Sequence, residues 1–205
     1  MPEGHTFVIA NSGVKAKKTG RALESYNRAS RLAARLVEIW RESTGRRDPH
    51  LAAALHSSPN APKQMAEIIA AKTAGESERT RLTARMDHFL RENGSIAPAA
   101  YALSQGNLDG FGSIADFSQE AAEQLLGNQV LETGFLAASA RRREAVAATA
   151  FGAGFGGSVW ALVETAHADR FLDEWRDSYT AKFPERADNS DFFITAPGHP
   201  MFRLC

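Results

Sequence analysis

Four glycines fall within six positions at Gly152-Ala-Gly-Phe-Gly-Gly157, and no other stretch of this 205-residue chain limits its fold as strongly. Glycine tolerates positive φ and lets the backbone approach another group closely, so such a run forms a tight turn or a loop that presents backbone N–H groups to an anion. It is flanked by Ala147-Ala-Thr-Ala-Phe151 and Val159-Trp-Ala-Leu-Val163, which read as two strands joined by a tight connection. The spacing fits neither phosphate-loop consensus: no Lys-Ser/Thr follows the glycines and no helix opens behind them. Taken alone, a glycine-rich hairpin turn is more often merely a turn.

The other segments can be read around this pair of strands. Phe7-Val-Ile-Ala10, bounded by Gly4 and by Asn11-Ser-Gly13, reads as a buried strand, and Phe192-Phe-Ile-Thr195 as a last short one. From Arg21 to Ser43 apolar residues recur at three- and four-residue steps (Ala22, Tyr26, Ala29, Ala33, Leu36, Val37, Trp40), which predicts a long amphipathic helix stopped by Gly45. Residues 45–62 read as loop with one helical turn at Leu51 to Leu55. Helical spacing returns over Lys63–Thr73, Glu78–Glu92 with Asn93-Gly94 as terminator, Ala99–Gln105, Phe111–Leu125, Val130–Arg143 and Ala166–Lys182. The basic Arg141-Arg-Arg143 run suits a helix carboxyl end, where the macrodipole favours cations. Strands at the start, middle and end with helices between predict an α+β fold: a small, mainly antiparallel sheet of ferredoxin-like type packed with several helices, a single domain over 1–205.

Charge and cysteine content exclude several classes. Lys plus Arg and Asp plus Glu number 24 each, leaving no positive excess to hold a nucleic-acid backbone or an anionic membrane surface. No stretch of about 18 apolar residues occurs and no signal peptide opens the chain, so neither membrane nor nucleic acid is expected as a partner. Cys205 is the single cysteine, which rules out an internal disulfide or a cysteine-built metal site and fits a reducing cytoplasm. The six histidines, His5, His50, His56, His88, His167 and His199, lack the paired spacing of metal ligands, so no metal site built by this chain is expected.

The order of the motifs resembles one known family. Phe151-Gly-Ala-Gly-Phe-Gly-Gly-Ser-Val-Trp-Ala-Leu-Val163 is similar to the third motif of the kinases that include galactokinase, homoserine kinase, mevalonate kinase and phosphomevalonate kinase. Val8-Ile-Ala-Asn-Ser-Gly-Val-Lys15 followed by Ser25-Tyr-Asn-Arg28 resembles a galactokinase stretch in particular, as does Leu103-Ser-Gln-Gly-Asn-Leu-Asp-Gly-Phe-Gly112. Three positions depart from that pattern: Gln119 after Phe117-Ser118 where histidine is usual, Ala29 where a second arginine is common, and Ser158 where cysteine is frequent.

The resemblance implies the carboxy-terminal part of a galactokinase-like sugar kinase, with residues 1–20 as a strand and loop arriving from an amino-terminal domain. It implies a sugar-contact role for Tyr26, with Asn11 and Ser12 as second-rank substrate residues. Gly152, Ala153, Gly154, Phe155, Gly156 and Gly157, together with Lys15, fall on the nucleotide-phosphate side. A phenol suits sugar binding because it joins an aromatic face to one polar tip, although a tyrosine on an apolar helix face is more often core. The family's serine-rich phosphate loop and its Met-Asp-Gln base do not occur in this chain. Met86-Asp87-His88 lies within a helix and is not that base. The chain is therefore expected to be a poor kinase alone, with no catalytic residue of its own, and Mg-ATP and a monosaccharide are the ligands of the complete enzyme. An apolar face left by the absent half predicts either that half or a second copy as partner. The rival expectation is a non-catalytic sugar- or partner-binding module derived from the kinase fold.

Overall fold

A computed structural model describes residues 2–15 and 21–198, apart from the side chains of residues 21–23, 25 and 26. The side chains of Ala22 and Tyr26, together with His199 and Cys205, thus lie outside the described residues. The chain divides into two compact units, one made of residues 1–16, 94–123 and 128–205, the other of residues 17–93 and 124–127.

The first unit is built on a four-stranded antiparallel sheet of β1 (His5–Asn11), β2 (Ala147–Phe151), β3 (Ser158–Glu164) and β4 (Asp191–Thr195), in the order β2-β3-β1-β4. Strand β1 pairs with β3 along its whole length, from His5 opposite Glu164 to Asn11 opposite Ser158, and with β4 from Phe7 opposite Thr195. This is the ferredoxin-like order the sequence predicted. Alternation decides which face is buried. Val8, Ala10, Ala148, Val159, Ala161, Val163 and Phe192 meet Leu136, Ala137 and Ala140 of α6 (Leu131–Arg142) and Phe171, Trp175 and Tyr179 of α7 (Ala168–Lys182). On the opposite face, α5 (Leu108–Ala121) lays Phe111 and Ala115 over Ala147, Trp160 and Leu162. Beyond α5, Phe151 and Phe193 on that face are almost half exposed.

Trp175 anchors the buried layer. It is fully enclosed, stands edge-on to Phe192 at 5.6 Å between ring centroids, and its indole N–H donates to the Leu136 carbonyl and the Ser139 hydroxyl. Gln119 closes the β2 edge: its side-chain oxygen accepts from the Ala150 N–H at 2.9 Å and the Thr149 hydroxyl at 2.8 Å, while its amide donates to Glu123. An edge strand's free N–H is satisfied in this way without a further strand.

The second unit is helical: α1 (Arg21–Thr44), α2 (Leu51–Leu55), α3 (Ala61–Lys72) and most of α4 (Glu76–Ser104). Leu36, Ile39 and Trp40 of α1 pack with Leu55, Met65, Ile69 and Leu82 in a core of their own. Helix α1 ends where Gly45 takes φ 71° and its N–H returns to the Arg41 carbonyl. The loop behind it is drawn in by Asp48, which accepts from the Trp40 indole at 2.8 Å and pairs with Arg46 at 2.7 Å.

Helix α4 corrects one expectation. Asn93-Gly94 does not terminate it; the helix runs on through Pro98 to Ser104 and absorbs the separate helix read at Ala99–Gln105. Gly94 is absent from the positive-φ glycines and the Asn93 amide is spent on the His56 ring at 3.2 Å, so neither residue turns the chain. Pro98 removes one intrahelical bond, and the helix continues past it to Ser104.

Candidate functional site

The six residues between β2 and β3 form a loop in which five take left-handed backbone: Gly152 (φ 87°), Gly154 (82°), Phe155 (60°), Gly156 (124°) and Gly157 (87°). Such angles cost an ordinary residue about 1–2 kcal/mol each, which explains the glycines and leaves Phe155 in need of outside support. Two of the glycines have a second reason. A Cβ on Gly154 would stand 2.2 Å from the Asn128 carbonyl oxygen, and one on Gly156 2.4 Å from that of Val14. Gly152 and Gly157 instead face open space.

Those close approaches are hydrogen-bonded. The Phe155 N–H donates to the Asn128 carbonyl at 2.5 Å, and the Gly157 N–H to the Val14 carbonyl at 2.9 Å. Ser12 completes the second joint: its N–H and its hydroxyl both donate to the Gly157 carbonyl, at 2.9 and 2.7 Å, while the hydroxyl accepts from the Val14 N–H at 3.2 Å. From α7 the Tyr179 hydroxyl donates to the Ser12 carbonyl at 2.6 Å. Burial, with the nearby Glu132 carboxylate adding to it, pushes the Tyr179 phenol far above its ordinary range, so it stays a neutral donor.

The structure thus brings together residues 145 apart in sequence, Ser12 of the loop after β1 and Gly157 of the glycine loop. Asn11 is exposed at the end of β1 and its side-chain oxygen accepts from the Gly13 N–H at 3.0 Å. Ser12 is fully buried with its hydroxyl engaged inside the protein. Lys15 is exposed, one residue from Val14. Gly152 and Ala153 form the exposed tip, while Gly154 and Gly156 are buried. The Tyr26 backbone belongs to α1 in the other unit, and its side chain lies outside the described residues. Among the described residues no group of three His, Cys, Asp or Glu stands where it could hold a metal ion.

Sequence reasoning missed two of the groups that shape this site. Tyr179 was legible only as part of the buried face of α7, because a helical period reports the side chain's burial and not the reach of its hydroxyl. Asn128 follows Gly127, a turn residue at φ 63°, and nothing local to it reports a partner some 25 residues on.

Comparison with known proteins agrees with this geometry. Residues 99–181, which run from the end of α4 through the glycine loop to α7, match the family described as GHMP kinases C terminal. The fold is shared with the crystal structure of Lactococcus lactis galactokinase complexed with galactose, at a TM-score of 0.71 and 23% identity over 94% of this chain and 45% of that one. It is shared more distantly with L. major mevalonate kinase in complex with R-mevalonate, at a TM-score of 0.50 and 13% identity over 96% and 44%. The family match over residues 99–181 and the shared fold both liken this part of the chain to the carboxy-terminal domain of the GHMP kinases. Within that class its likeness is to galactokinase: the galactokinase of Enterococcus faecalis is 32% identical over 108 residues, 52% of this chain and 28% of that protein. The chain spans less than half the length of these relatives. No described helix is long and apolar enough to cross a membrane.

Proposed function

We propose that this chain is the carboxy-terminal part of an ATP-dependent sugar kinase that transfers a phosphoryl group to a hydroxyl of a galactose-like monosaccharide. The observation that carries the reading is the double joint between Ser12–Val14 and Gly157, which fastens the glycine loop to the segment expected beside the substrate. Phosphoryl transfer rests chiefly on positioning and on charge stabilisation, and a preformed loop supplies the first without reorganisation during reaction. Among the described residues no atom stands within 4 Å of where a side chain on Gly152 or Gly157 would be, so the backbone there can be approached closely by a phosphate.

In this reading Gly152–Gly157 and Lys15 lie on the phosphate side, and Asn11 and Tyr26 on the sugar side. Ser12 serves the substrate side through the joint it makes. Mg-ATP, when bound, supplies the group transferred; this chain orients and encloses, and the reactive base and the phosphate-wrapping loop come from an amino-terminal half. The sheet face around Phe151 and Phe193 is where an apolar partner surface would be received.

Calorimetric titration with Mg-ATP, galactose and related hexoses, followed by a phosphotransfer assay, tests the proposal. Binding of nucleotide and of one hexose with little turnover by the chain alone is the expected result. Absence of both binding events would refute the kinase reading in favour of a partner-binding module, and vigorous turnover by the isolated chain would refute its incompleteness.

A further inference from the structure

The glycine loop is anchored on its other side by a residue that neither strand carries. Asn128 is 7% exposed and stands between the π turn at Ala122–Leu126 and the start of α6. It touches the loop through two different groups. Its backbone carbonyl accepts from the Phe155 N–H, and its side-chain amide donates to the Ala153 carbonyl at 3.3 Å. Between those two bonds lies Gly154, pressed so close that a Cβ there would meet the Asn128 amide nitrogen at 2.6 Å.

The orientation of the amide is settled by a second contact. Its oxygen accepts from the Gln129 amide at 3.0 Å, which leaves the nitrogen facing Ala153. Gln129 in turn accepts from the fully buried Thr133 hydroxyl at 2.9 Å, so the chain of bonds runs from the loop into the first turn of α6. Phe155 holds a left-handed backbone that its Cβ disfavours, and such strain persists only where surrounding contacts over-determine it. Asn128 supplies those contacts for the Ala153–Phe155 half of the loop, as Ser12 and Val14 do for the Gly156–Gly157 half.

We infer that Asn128 is the positioning residue of the glycine loop, holding Ala153–Phe155 in the conformation in which the exposed tip meets the phosphates of a bound nucleotide. The inference rests on the kinase reading above and adds a residue that acts through the loop without touching the ligand. It depends on a donor at the side chain, which distinguishes it from mere space-filling: aspartate has the same shape but, when ionised, nothing to donate.

Asn128→Asp and Asn128→Ala, compared with the unchanged chain, test this by amide hydrogen exchange and by calorimetry with Mg-ATP. Both variants should raise exchange at Phe155 by about tenfold or more while amides of β3 keep their protection. Both should weaken Mg-ATP binding by a similar factor, with the isosteric aspartate at least as damaging as alanine. Aspartate behaving as the unchanged chain in exchange and affinity would overturn the inference, as would raised exchange with unaltered affinity. An unchanged chain that ignores Mg-ATP is a different outcome: it sinks the nucleotide reading, and with it the nucleotide part of this inference. The exchange arm then still decides whether Asn128 holds the loop.

Discussion

Replacing Gly156 by alanine separates two reasons for a glycine that sequence alone cannot distinguish: freedom of φ and closeness of a neighbour. Gly152 is the natural control. Both take positive φ, 87° at Gly152 and 124° at Gly156, so alanine costs about 1–2 kcal/mol in backbone strain at 152 and at least that at 156, which lies further from the left-handed helical well. At 152 the new methyl meets nothing within 4 Å, and the strain is the whole effect. At 156 it would stand 2.4 Å from the Val14 carbonyl oxygen and 2.9 Å from its Cγ1, and ordinary contact begins at 3.4 Å. The two loops must therefore part by about 1 Å, enough to weaken the Gly157 bond to Val14 and the paired Ser12 bonds, each contributing about 1 kcal/mol net. Gly152→Ala should cost about 1–2 kcal/mol and Gly156→Ala about 3–4. In a domain of this size each kcal/mol lowers Tm by about 2–4 °C, so the two midpoints should differ by about 4–8 °C. Urea unfolding followed by tryptophan fluorescence, supported by differential scanning calorimetry, measures both. Equal losses would show that the close approach to Val14 does not constrain the loop, and the case for a preformed site would fall with it.

Two further outcomes follow from the packing. Trp175→Phe keeps most of the apolar bulk but strips the donor from the Leu136 carbonyl and the Ser139 hydroxyl, so it should cost about 2–3 kcal/mol in urea unfolding; a loss under about 0.5 kcal/mol would mean those bonds contribute nothing. His88 should make stability fall in mild acid. Burial first, and then the Arg85 guanidinium 3.1 Å away, hold its imidazole below the ordinary value against the opposing pull of Glu92. The unfolded chain takes up that proton near pH 6.5 and the folded chain only lower, so stability is full above about 6.5 and is lost as pH falls toward the folded value. Urea midpoints at several pH values should slope less in His88→Gln than in the unchanged chain, and identical slopes would remove His88 from the account.

Much of the architecture was legible because it depends on local periodicity. The 3.6-residue pattern of α1 placed its limits within a residue, the Leu51 to Leu55 turn was read inside a loop, and the strand runs at 7–10, 147–151, 159–163 and 192–195 appear within one or two residues of their places. The failure at Asn93-Gly94 has a physical cause. A Gly terminates a helix only if the chain adopts positive φ there, and Gly94 does not.

The site divides along the same line. Residue types alone determined that 152–157 would be a left-handed loop between two strands, since among L-residues only glycine adopts those angles at little cost. They also carry the order of motifs that resembles the carboxy-terminal part of the galactokinase family. Only the tertiary structure decided what the loop leans on: Val14 and Ser12 from one direction, Asn128 from another, with Tyr179 behind. Those contacts join positions far apart in the chain, and a hydrogen bond of that range leaves no periodic trace in a sequence because its geometry exists only after the sheet has formed.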